Sequence, residues 1–132
     1  MNQVVVKPLA EEPEVTLLKL SGDIGLNEIP QITALVDEYY GKGALHWAVD
    51  LSEVNFLSSP AVGAIMGLRS RVVARLGSIS VFAAHARLAE KLKLMGVDLV
   101  IPAFRNLQAY VDHFRWEYKG ASREVNLVLP AN

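Results

Sequence analysis

The sequence predicts a single α/β domain with a mixed, mostly parallel β-sheet and helices, in the order ββαβαβαβα. Runs rich in β-branched residues alternate with stretches of helical periodicity, and strands separated by helices pair in parallel through right-handed crossovers. The first two such runs have no helix between them, which adds an antiparallel hairpin. We expect the domain over residues 1–115 and a C-terminal tail, flexible or forming an added edge strand, over residues 116–132.

The opening hairpin is predicted from two short apolar runs, Val4–Val6 and Val15–Leu20. The next stretch, Ile29–Tyr39, carries apolar residues at helical spacing with polar residues between them. Asn27 has the side chain of an N-cap residue, and Gly41 ends the predicted helix. A helix therefore connects the hairpin to the third strand.

The third strand is predicted at Leu45–Leu51, and it continues through Val54–Leu57 towards a serine pair. Ser58 or Ser59 caps the following helix, and Pro60 occupies its first turn, where its missing N–H leaves no bond unmade. The inward face of this helix is marked by Val62, Ile65, Leu68, Val72 and Leu76.

The last third of the chain repeats the strand–helix alternation. Ile79–Ala84 is predicted as a strand, Ala86–Met95 as a short helix and Val97–Ile101 as a weak strand. A final helix is predicted at Asn106–Phe114. The run Val125–Leu129 is consistent with an added edge strand or with a segment that becomes ordered on a partner.

The composition excludes several classes of function. The chain is 52% hydrophobic and 20% charged, its formal net charge is −1, and it has no cysteine. A balanced charge gives no general attraction to nucleic acid, and the lack of cysteine excludes disulfides and thiolate sites. We expect a cytoplasmic protein without membrane insertion, because the N-terminus does not resemble a signal peptide and no apolar run approaches about 20 residues.

Residues with catalytic chemistry do not form a recognisable pattern. His46, His85 and His113 lack metal-ligand spacing, and Ser59–Gly63 does not match the nucleophile elbow G-x-S-x-G. No phosphate-binding glycine motif is present, and Asp50, at a strand end, lacks an acid–base partner. We therefore expect a non-enzyme without metal or cofactor, in which His46 and Asp50 have structural roles.

The segment Ser58–Pro60 is the most informative in the chain. A helix N-terminus presents unpaired N–H donors and the positive end of the helix dipole. A serine at this point is an ordinary cap, and it is also a place where a phosphate would be stabilised. The residue types alone leave both interpretations open.

Four segments in order resemble the STAS domain of anti-sigma-factor antagonists. They are Leu20–Ile24, Asp50–Phe56 (DLSEVNF), Ile79–Ala84 and Leu92–Asp98, and the resemblance covers about residues 4–115. It implies a mixed sheet with helices. It also implies binding of an anti-sigma factor, a serine kinase or another signalling protein, under the control of serine phosphorylation.

The chain departs from the family at the phosphorylation switch. The family pattern is F-[ILM]-D-S-S-G-L-G, with the second serine as acceptor, and the corresponding residues here are Phe56–Gly63. Ser58 stands at the acidic position, Ser59 at the first serine and Pro60 at the acceptor. Gly25 also replaces a frequent acidic residue. We expect the usual switch to be absent, with Ser58 or Ser59 left open as a displaced acceptor.

Without the switch, we expect a fixed surface to bind the partner. The predicted partner-binding residues are Asp23, Asn27, Ser58, Ser59, Pro60, Val62, Met66 and Arg69. Trp116 and Tyr118 offer a second surface, because aromatic residues are enriched at interfaces.

Three functions follow from these observations. The first is a protein-binding regulator in a sigma-factor or similar signalling circuit. The second is a STAS-like accessory subunit of a membrane transport ATPase of the lipid-transport type, and the third is a small α/β enzyme or ligand sensor. The sequence leaves the partner, the signal and a homodimer open.

Overall fold

The computed structural model describes residues 2–120. The strands are β1 (Gln3–Leu9), β2 (Glu12–Ile24), β3 (His46–Leu57), β4 (Ser78–Phe82) and β5 (Ala103–Phe104). The α-helices are α1 (Ile29–Gly41), α2 (Ser59–Ala74), α3 (Ala86–Leu94) and α4 (Leu107–Phe114). Short 3₁₀ turns lie at Leu26–Glu28 and Val97–Leu99, and a π-helical turn follows α4 at Arg115–Lys119.

The strands form one sheet in the order β1-β2-β3-β4-β5. β1 and β2 pair antiparallel, and the other neighbours pair in parallel through helical crossovers. The predicted order ββαβαβαβα and the mixed, mostly parallel sheet are confirmed. Both early strands are longer than predicted.

Each face of the sheet carries its own apolar core. The alternation of side chains in β2 sends Leu18 and Leu20 to the face covered by α1, α2 and α3, and Val15 and Leu17 to the face covered by α4. Trp47, on β3, is fully buried in the first core. Helices therefore pack on both faces of the sheet, and this packing holds the loops at the ends of its strands in place.

The fifth strand is not where the sequence predicted it. Val97–Ile101 was expected to be a strand, and this interpretation is wrong. Gly96 takes a left-handed conformation (φ 78°), and the N–H groups of Val100 and Ile101 both donate to Val97 O, at 3.0 and 2.8 Å. These local bonds use the donors that a strand would need, so pairing begins only at Ala103.

The start of α1 also differs from prediction. Asn27 does not cap this helix, because it lies inside the 3₁₀ turn Leu26–Glu28 and the N-cap residue is Glu28. Pro30 occupies the first turn of α1, where its missing N–H leaves no bond unmade, and the N-cap lies one residue later than the sequence predicts.

Within residues 2–120, no helix is long and apolar enough to cross a membrane. In the same residues no group of three or more His, Asp or Glu side chains is arranged to hold a metal ion. The predicted run Val125–Leu129 lies outside the described residues.

Candidate partner-binding site

The N-terminus of α2 is fixed by Ser58. Its backbone N–H donates to Ile24 O at 2.8 Å, which ties the end of β3 to the end of β2. Its Oγ accepts a hydrogen bond from the Ala61 N–H at 3.2 Å. The hydroxyl is half-buried and is used as the helix cap, as one of the two interpretations of the sequence predicted.

Ser59 and Pro60 form the exposed first turn of α2. Val62, which was also predicted to bind a partner, is 2% exposed and belongs to the core under this turn. Its contribution to the site is to hold the turn in place. The position of the expected phosphate acceptor is thus exposed but carries a ring without a hydroxyl.

The end of β2 lies beside this turn. Asp23 is opposite Phe56 in the register, and Ile24 is opposite Leu57. Leu26 and Phe56 are 71% and 51% exposed and add apolar surface to this end of the sheet. We define the docking edge as the exposed residues at the ends of β2 and β3, in the 3₁₀ turn after β2 and in the first turn of α2: Asp23, Leu26, Asn27, Phe56, Ser59 and Pro60.

The turn that carries Leu26 and Asn27 is held by a carboxylate. Glu28 Oε1 accepts the Gly25 N–H at 2.8 Å, and Glu28 Oε2 accepts from Asn2 Nδ2 at 3.2 Å. The bond from the Gly25 N–H, followed by that from Asn2, holds the pKa of Glu28 below its ordinary value. The turn is therefore fixed before any partner arrives.

The opposite flank of the docking edge is basic. Lys91 Nζ lies 4.5 Å from the centroid of the Phe56 ring and donates to Leu57 O. His85 caps α3 by accepting the Leu88 N–H at 3.1 Å on Nδ1. Phe56 and Lys91 line a common hollow of about 70 Å³, together with His85 and Arg87. The edge is thus apolar in the centre, with Asp23 at one end and cations at the other.

The sequence analysis missed Leu26, Phe56, His85 and Lys91. A usable signal existed for Phe56, because neighbouring strand residues point to opposite faces and Phe56 and Leu57 cannot both enter one core. Leu57 is fully buried and Phe56 faces out. For Lys91 no signal exists, since its contact with Phe56 joins elements that are distant in the chain.

Two further predicted residues, both on α2, do not belong to the docking edge. Met66 is half-buried and packs against the first core. Arg69 donates from Nε to Val100 O at 2.9 Å and lies about 15 Å along α2 from Ser59. Arg69 therefore contributes to another part of the surface.

The second predicted surface lies beyond α4. Trp116 and Tyr118 are 41% and 46% exposed on the π-helical turn. The Tyr118 ring packs on His46 with 4.7 Å between centroids. Tyr118 also packs against Phe114 and so lies on the face of the sheet that α4 covers, away from the N-terminus of α2.

His46 and Asp50, for which we expect structural roles, both make contacts within the fold. His46 Nδ1 is 2.8 Å from Ser78 Oγ, and its ring packs against Phe114. Burial lowers the pKa of His46, and the charge of Glu14 opposes this effect. Asp50 Oδ1 accepts the Ser52 N–H at 2.9 Å, at the point where the pairing of β3 with β2 shifts register between Asp50 and Glu53.

The chain is similar to known domains of one kind. A model of the family described as "Mlab, STAS domain" matches residues 9–102, whereas no curated protein sequence matches. A Thermotoga maritima protein assigned as an anti-sigma factor antagonist has a TM-score of 0.76 at 16% identity, covering 85% of this chain and 94% of its own.

Two further solved structures have the same fold. An anti-sigma factor antagonist from Mycobacterium paratuberculosis has a TM-score of 0.72 at 19% identity, over 87% of this chain and 95% of that chain. Phosphorylated SpoIIAA from Bacillus has a TM-score of 0.66 at 16% identity, over 87% and 100%. At such low sequence identity these similarities show a shared fold and nothing further.

Proposed function

Because this chain belongs to the STAS domain family, we propose that it is a cytoplasmic, non-catalytic regulator that binds a signalling protein through the docking edge. The partner class is a serine kinase, an anti-sigma factor or a related protein. The proposal includes the absence of the serine phosphorylation switch, so that the edge is always competent to bind.

The observation that carries this proposal is the state of the three residues at the N-terminus of α2. Ser58 is engaged as the cap, Ser59 is exposed, and Pro60 occupies the acceptor position. Leu26 and Phe56 extend the same edge with exposed apolar surface. Such a preformed apolar centre with a polar rim suits a protein partner, because fixed loops bind at a low cost in ordering.

Co-purification from the native cell tests the proposal. We expect the unmodified chain to recover a signalling protein, and we expect Phe56→Asp to lose it. Val5→Asp is the matched control, since Val5 is also an exposed apolar strand residue (37%) but lies on β1. Equal recovery by both variants would contradict binding at the docking edge.

A membrane transport ATPase is the second candidate partner. A permanently unmodified edge suits a constitutive accessory subunit as well as a regulator, and this supports keeping the alternative. The same co-purification separates the two, because recovery of an ATPase that requires Phe56 would replace the signalling interpretation and keep the docking edge.

A further inference from the structure

The outer edge of β4 is only partly covered. β5 pairs with Val81 and Phe82, so the segment Ser78–Ser80 has no strand neighbour on that side among residues 2–120. The hydrogen bonds give the direction of the backbone groups. Ser78 N–H donates to Leu45 O on the β3 side, whereas Val81 N–H donates to Pro102 O on the β5 side. By alternation, Ile79 directs its N–H and C=O to the uncovered side.

This uncovered edge forms the floor of a groove of about 160 Å³. Val73 of α2 and Val100 line it and are 45% and 38% exposed. Tyr118, from the π-helical turn, also lines the groove and is 46% exposed. The groove therefore combines a strand edge with apolar walls, which are the two features that bind an extended peptide.

Among the residues that the structure describes, the groove is lined by basic side chains without an acidic one. Its lining includes Arg69 and His113 and no carboxylate. Arg69 uses Nε for the bond to Val100 O and makes no ion pair with any Asp or Glu in the described part of the chain. The remaining N–H groups of its guanidinium match the geometry of a carboxylate.

We propose that this groove binds an extended segment of a partner protein, which pairs with the edge of β4 at Ile79, places apolar side chains between Val73 and Val100, and presents a carboxylate to Arg69. The groove lies at the opposite end of α2 from the docking edge, so the proposal is independent of binding at that edge. A second contact of this kind would fix the orientation of a partner on the domain.

Peptide titration of the ¹⁵N-labelled full chain tests the proposal. The probes are the acetylated and amidated peptides Val-Thr-Asp-Thr-Val and Val-Thr-Asn-Thr-Val, which place the valines and the aspartate or asparagine on one face of the strand and differ only in the carboxylate. We expect the Asp peptide to shift the amide resonance of Ile79 and to bind about tenfold more tightly than the Asn peptide. Arg69→Gln should remove that difference, whereas Arg75→Gln, at the C-cap residue of the same helix, should keep it.

Two variants of opposite charge at one position distinguish a loss of binding from damage to the fold. Val73→Asp should abolish binding of the Asp peptide by repulsion, and Val73→Lys should retain it, although both place a charge at the same exposed site. Phe56→Asp should leave the titration unchanged. No shift at Ile79 with about 5 mM Asp peptide, equal affinity for the two peptides, or shifts confined to the docking edge would overturn the proposal.

Discussion

Gly77 and Leu45 approach so closely that no side chain fits between them. A Cβ atom on residue 77 would lie 2.1 Å from the carbonyl oxygen of Leu45, which is backbone and cannot turn away. The same oxygen accepts the Ser78 N–H at 2.9 Å and so begins the pairing of β4 with β3. Gly77 is thus required by the pairing of the sheet, whereas the left-handed residue that follows α2 is Leu76 (φ 65°).

Gly77→Ala should therefore lower the free energy of unfolding by about 2–4 kcal/mol, since β4 must shift away from β3. Gly67→Ala is the matched control, because a Cβ there meets nothing within 4 Å and alanine favours the helix by about 1 kcal/mol. Urea unfolding measures both. Equal stabilities of the two variants would contradict this prediction, because the backbone at Leu45 would then move away from the new Cβ without a loss of stability.

Ser58 should contribute to stability through its cap. Ser58→Ala removes the acceptor for the Ala61 N–H and should cost about 1 kcal/mol of unfolding free energy. Ser58→Asp should retain most of the wild-type stability, because a carboxylate also caps and favours the helix N-terminus. Ser59→Ala should change stability by less than about 0.5 kcal/mol, since Ser59 is exposed and makes no cap bond. A larger loss for Ser59→Ala than for Ser58→Ala in urea unfolding would refute this assignment.

Phosphorylation should fail on the wild-type chain. After incubation with ATP and a serine kinase of the family, we expect no increase of about 80 Da in intact mass, because Pro60 has no hydroxyl and Ser58 is engaged as the cap. Pro60→Ser should restore modification only in part, since Ser58 and Gly25 also depart from the family pattern. Stoichiometric phosphate on wild-type Ser58 or Ser59 would contradict this prediction and identify that serine as a displaced acceptor.

The fold could be predicted from the sequence where the pattern is strong and the contacts are local. β-rich runs separated by helical periodicity gave the order of elements, and Ser58 followed by Pro60 located the start of α2. The prediction of the fifth strand is wrong because the apolar run after Gly96 is typical of a strand, whereas local hydrogen bonds to Val97 O close it into a turn. A two-residue strand has no pattern of its own.

The site was predicted less completely, because its parts come from different elements. Ser59 and Pro60 were found from one motif, but Lys91 reaches Phe56 across the chain. Arg69 was assigned to the same surface through its helix and lies near Val100 instead. Likewise Glu12, at the start of β2, is 4% exposed and paired with Arg115 and Lys119, an arrangement that arises only when the π-helical turn packs beside β2.

His46 should make stability depend on pH near neutrality. Burial holds the pKa of His46 below 6.5, so the unfolded chain takes up a proton at a higher pH than the folded one. Its contribution is present above about pH 6.5 and is lost as the pH falls from there through the lower, folded pKa. Of the neighbouring charges, Glu14 opposes the shift, and Lys119 is paired with Glu12 and Glu14.

Urea unfolding at about pH 8 and about pH 5.5 measures this effect. His46→Gln should flatten the difference between the two pH values, because glutamine does not titrate. Ser78→Ala removes the 2.8 Å partner of Nδ1 and leaves the ring buried, so it should lower stability at both pH values and keep the difference. If wild type and His46→Gln differ equally in stability between the two pH values, the pH dependence comes from other groups and the prediction is wrong.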